Sequence, residues 1–101
     1  MLTTIEDFVI PSLQVLDSLS GDAAITDIED AFYKRFGGDL DPKKDWHRIT
    51  PNRNKELWRD YCTTRVAHYY LRPNDHITTE RHGNRGSHYI LTLKGREKAR
   101  Q

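Results

Sequence analysis

The chain has 101 residues, a formal net charge of +1, 36% apolar and 31% charged residues, which bounds it to one domain with a single modest core. No apolar run approaches the roughly 20 residues of a membrane helix, and Met1–Asp7 lacks the basic start and apolar centre of a signal peptide. The single cysteine, Cys62, excludes an internal disulfide framework, so the expected compartment is a reducing cytoplasm, with nucleoid association if the chain binds DNA.

In chain order, Ile5, Phe8, Val9, Leu13, Leu16 and Leu19 recur at helical spacing, with Thr3 and Thr4 as candidate caps and Glu6 and Asp7 in the first turn. Pro11 fits a helix that starts near Ile10, which leaves residues 1–9 as a loose arm; a helix kinked at Pro11 is the alternative. Ser20-Gly21-Asp22 ends this element. Thr26-Asp-Ile-Glu29 reads as a capping box, with Ile25 as a staple, opening a second helix whose Ile28, Ala31, Phe32 and Phe36 form a core face and whose end is Gly37-Gly38.

Residues 37–54 read as a long basic connection with two glycines and two prolines, save for a short helical turn near Pro42–Trp46. Trp46 and Ile49 are expected to pin it to the core, leaving Lys43, Lys44, His47, Arg48 and Arg53 as a basic rim. The next 18 residues, Lys55–Arg72, contain no Gly or Pro and read as a third helix stopped by Pro73. At 100° per residue, Trp58, Cys62, Val66 and Tyr69 share one face. Asp60, Thr63, Thr64, Ala67 and Leu71 fall opposite, with Arg59, His68 and Arg72 at the margins. A break near Thr63-Thr64 is the alternative. Ile77–Glu80 and Ser87–Leu93 then flank a polar tip, Arg81-His-Gly-Asn-Arg-Gly86, which is a hairpin pattern. The last segment, Lys94–Gln101, is short and basic.

The small net charge conceals a division. Residues 1–32 carry seven acids and no Lys or Arg; residues 33–101 carry all 16 Lys/Arg against eight acids, together with all five histidines. One end suits a polyanion and the other avoids it; that the two halves simply attract each other is the alternative. Helix, capped helix, connection, helix and hairpin describe an α+β winged helix, a three-helix core with a C-terminal two-stranded wing.

This order resembles the N-terminal winged-helix domain of Mrr-type restriction endonucleases. The resemblance rests on Ile10-Pro-Ser-Leu-Gln-Val-Leu16, Ile25-Thr-Asp-Ile-Glu-Asp-Ala-Phe-Tyr-Lys-Arg-Phe-Gly37, Arg65-Val66 through Leu71, and Gly86 followed by Tyr89-Ile-Leu-Thr-Leu-Lys-Gly-Arg96. It covers most of the chain after Val9. Leu40–Glu56 is longer and more basic than the family pattern, and no nuclease domain follows Gln101. The resemblance implies DNA binding, in a transcription regulator or as the DNA-reading part of a restriction-modification or defence system.

The sequence therefore predicts a module for double-stranded DNA, with the third helix in the major groove and the wing on the backbone or minor groove. The expected contacts are Lys43, Lys44, Arg48, Arg53, Lys55, Arg59, Thr63, Thr64, Ala67, His68, Arg72, Arg81, His82, Asn84 and Arg85. If rim, helix and wing together touch about 4–6 phosphates, log affinity falls against log salt with a slope of about −4 to −5. A winged helix that binds a protein, as an adaptor or inhibitor or through a homodimer, is the alternative. No enzyme, cofactor or membrane attachment is expected. The acid-then-Glu-x-Lys pattern of restriction nucleases is absent. Cys62, His68, His76, His82 and His88 lack metal-site spacing, and Cys62 sits on the predicted core stripe, where a thiol is inert.

Overall fold

The computed structural model describes residues 1–81, 83 and 86–101. A 3₁₀ turn, Ile5–Phe8, leads without a break into α1, Val9–Ser18. Strand β1, Asp22–Ala24, runs directly into α2, Ile25–Phe36. The helical stretch α3, residues 57–71, is α-helical at Leu57–Arg59 and π-helical over Asp60–Arg65 and Ala67–Leu71. Strands β2, Ile77–Arg81, and β3, Ser87–Leu91, precede α4, Leu93–Ala99. The fold is α+β, and its sheet is antiparallel in the order β1-β3-β2. Thr79 faces Tyr89 and Arg81 faces Ser87 across β2–β3, while Ala23 of β1 faces Tyr89 from the other side.

Residues 1–9 do not form a loose arm. Leu2 bridges to Leu40, donating its N–H to Asp39 O at 2.7 Å and accepting from Asp41 N–H at 3.0 Å. Phe8 is fully buried, stacked on Phe32 at 5.5 Å and in edge contact with Tyr61 at 5.5 Å. A side chain at the centre of the aromatic core fixes the segment that carries it; burying it is worth about 2–3 kcal/mol. Pro11 lies in the first turn of α1, where its missing N–H would have no helical partner in any case.

The second helix starts at Ile25, earlier than the capping-box reading places it. Ala24 is the residue before it, and Thr26 is exposed. Glu29 does not reach back to a cap; it turns into the protein toward α3, as described below. β1 went unread because Asp-Ala-Ala carries no β-branched or aromatic signal. α4 is also better formed than its composition suggests. Thr92 caps it by accepting from Gly95 N–H at 2.9 Å, and Ala99 is buried. A Cβ at Gly95 would collide with the carbonyl of His76, so only glycine lets the helix come this near the chain before β2.

The connection between α2 and α3 holds a 3₁₀ turn at Gly37–Asp39 and is otherwise irregular but tied down. Trp46 is buried and donates Nε1–H to Asp41 O at 2.8 Å. Carbonyls of Arg48 and Trp46 accept from Leu57 and Trp58 N–H at 3.0 and 3.1 Å, satisfying donors that begin α3. Ile49 is not a pin: it is 55% exposed, although its backbone bridges to Glu56.

The phase of α3 differs most from the sequence reading. Val66 N–H bonds to Tyr61 O and Arg72 N–H to Ala67 O, both i→i+5. Such winding advances less per residue than the α-helix, so residues expected on opposite faces come to share one. Asp60, Cys62, Thr63, Val66, Ala67 and Leu71 are buried, whereas His68 and Tyr69 are exposed. Thr63 and Ala67, expected nearest the bases, belong to the inside. Tyr69, expected inside, belongs to the surface.

Candidate nucleic-acid interface

The buried face of α3 meets α2 at one carboxylate. Glu29, itself 3% exposed, pairs with Lys55 Nζ at 2.8 Å and Arg59 Nη1 at 3.2 Å and accepts from Thr63 Oγ1 at 2.9 Å. Tyr89 of β3 closes the arrangement by donating its hydroxyl to Thr63 O at 2.6 Å. Burial pushes the Tyr89 phenol up to about 12. Arg59 also reaches Glu56 at 3.3 Å and lies over the Trp58 ring. Lys55, Thr63 and Arg59, three expected DNA contacts, therefore bind α2 to α3. Lys44 is likewise turned inward, donating to Tyr61 Oη at 3.0 Å and lying 4.8 Å from that ring's centre. The His47 hydrogen bond at 2.6 Å holds the Glu56 carboxyl below its usual range.

The outward stripe of α3 is different. Thr64, Arg65, His68, Tyr69 and Arg72 recur every three to four residues and are partly or well exposed. Thr64, His68 and Arg72 line a groove of about 270 Å³ between α3 and the sheet, with Ala67 in its wall and Arg53, Thr79 and Ser87 at its edges. Strand alternation puts Arg81 on the same side of β2 as Thr79, opposite Ser87. Arg53 and His68 also border a second hollow, of about 290 Å³, which continues past Arg65 and Tyr69. Among the described residues, Asp60 is the one acid lining either hollow; it pairs with Arg65 Nε at 2.6 Å and Arg53 Nε at 3.2 Å.

Of the expected contacts, the structure gathers Arg53, Thr64, His68 and Arg72 at this groove, with Arg81 on the adjoining strand. Lys43 and Arg48 are exposed on the connection, away from the groove lining. His82, Asn84 and Arg85 lie outside the described residues. Arg65, Tyr69, Asn52 and Thr79 were missed. Their signal was present in the chain: Thr64-Arg65, His68-Tyr69 and Arg72 repeat at a spacing of about four, but a strict 3.6-residue projection assigns them to different faces.

Among the described residues, no group of three His, Cys, Asp or Glu is placed to hold a metal ion, and no helix is long and apolar enough to cross a membrane. Cys62 is buried and its thiol is pushed well above its usual range by that burial, which suppresses the nucleophilic thiolate. Compared with family models, curated proteins and solved structures, the chain matches none.

Proposed function

We propose that the chain is a double-stranded-DNA-binding module of the winged-helix kind, with the outward stripe of α3 set against the major groove and the β2–β3 hairpin beside the flanking backbone or minor groove. The observation that carries this reading is the groove that brings Arg53 and Arg72 together beside Thr64 and His68, with Arg81 on the adjoining strand and Arg65 in the neighbouring hollow. Acids of the first third sit elsewhere: Asp22 pairs with His88, Asp17 with Arg96 and Arg100, and Glu29 inside. A polyanion meets cations along the groove, while Glu29 and Asp17 are held by cations away from it. Thr64 and His68 offer short donors and acceptors to base edges, while the arginines suit phosphate. In keeping with the resemblance to Mrr-type N-terminal domains, such a module would serve as the DNA-reading part of a restriction or regulatory system.

The test is the paired substitution Arg72→Ala and Arg81→Ala, read by fluorescence anisotropy on duplexes of unrelated sequence at low salt. The double variant should keep its circular dichroism and lose about tenfold in affinity on every duplex alike. Unchanged affinity would remove the groove from the interface.

A further inference from the structure

We infer that the hollow beside the groove receives a single unstacked DNA base, with Tyr69 as its stacking platform and Asp60 as its reader; this rests on the DNA-binding reading above. The hollow of about 290 Å³ is bordered by Asn52, Arg53, Asp60, Arg65, His68 and Tyr69, and it adjoins the groove through Arg53 and His68. Two of its features mark it out. Tyr69 is 59% exposed, an aromatic ring left at the surface in edge contact with His68 at 4.9 Å. Asp60 is fully buried, yet its Oδ1 accepts no hydrogen bond: Arg53 Nε stands 3.2 Å away as an ion pair, out of line for one.

A buried carboxylate oxygen without a donor is costly, and such a group asks for one. The Arg53 side chain is half exposed, and in the complex inferred here it exchanges Asp60 for a phosphate and opens Oδ1 to the hollow. Arg65 stays on Oδ2 at 2.6 Å and keeps the carboxylate compensated. The donor that fits is the exocyclic amino group of a base: a carboxylate accepts from cytosine N4, and Asn52 has an amide for a neighbouring ring atom. Thymine presents a carbonyl oxygen there and is repelled. Stacking on an aromatic ring and pairing of the exposed edge are how extruded bases are held.

The experiment uses three short duplexes that differ at one position, either fully paired, with cytosine opposite an abasic site, or with thymine opposite an abasic site. Anisotropy should show the cytosine duplex bound about tenfold more tightly than the thymine duplex, and Tyr69→Ala, at an exposed position, should erase that difference. Equal affinity for cytosine and thymine, with paired duplex still bound, overturns the base site and leaves the DNA-binding reading standing. A cytosine preference that survives Tyr69→Ala puts the base elsewhere and also overturns it. Binding to none of the three removes both readings.

Discussion

Glu29 shows how one side chain couples two helices. The buried carboxylate is compensated by Lys55, Arg59 and the Thr63 hydroxyl, so removing it strands two partly buried cations. Glu29→Ala should cost about 2–3 kcal/mol, less than a wholly buried pair because Lys55 and Arg59 keep some contact with water. A lowered urea midpoint with unchanged slope would measure it. Tyr89 gives a second residue-scale test. Its phenol rises from an ordinary value of 10.0 to about 12 in the fold. The unfolded chain loses the proton first, so this contribution is intact below pH 10 and is lost as pH climbs from 10 toward 12. Stability should fall by about 2–3 kcal/mol over that window, and Tyr89→Phe should flatten the fall. The sequence showed Glu29 as half of a capping box because Thr-x-x-Glu is a local pattern; its partners lie some 30 residues away, where no local pattern reaches.

At the scale of elements, α3 separates what was readable from what was not. Its extent, its stop at Pro73 and the β2–β3 hairpin follow from composition and punctuation, and the structure has all three. Cys62 and Val66 are core residues as the periodicity indicates. Its phase was not readable, because the projection assumes i→i+4 bonding and the chain makes i→i+5 bonds. The consequence is testable. Ala67→Glu should unfold the protein, because it places an unpaired carboxylate at a buried site. His68→Glu, one residue on, should keep the fold and abolish DNA binding by repelling phosphate. Circular dichroism and anisotropy on both variants separate the two expectations; a folded, binding-competent Ala67→Glu protein would return that residue to the surface. β1 and α4 were illegible for a different reason, since a three-residue Asp-Ala-Ala strand and a seven-residue basic helix exist through pairing with β3 and packing on the rest of the chain.

Across the whole molecule, the charge division seen in the sequence is partly cancelled, because acids of the first third pair with cations of the remainder: Glu29 with Lys55 and Arg59, and Asp17 with Arg96 and Arg100. Lys44, Lys55 and Arg59 are consumed inside and Asp60 holds Arg65 at 2.6 Å, which leaves Arg53, more loosely paired with Asp60 at 3.2 Å, together with Arg72 and Arg81 as the cations at or beside the groove. Roughly three phosphate contacts, rather than four to six, are then expected. The measurement that bears most directly on the account is the affinity for a generic duplex across a series of salt concentrations. Log affinity should fall linearly against log salt with a slope of about −3. A flat response, or no binding at the lowest salt, would contradict DNA binding through this groove and favour a protein partner instead.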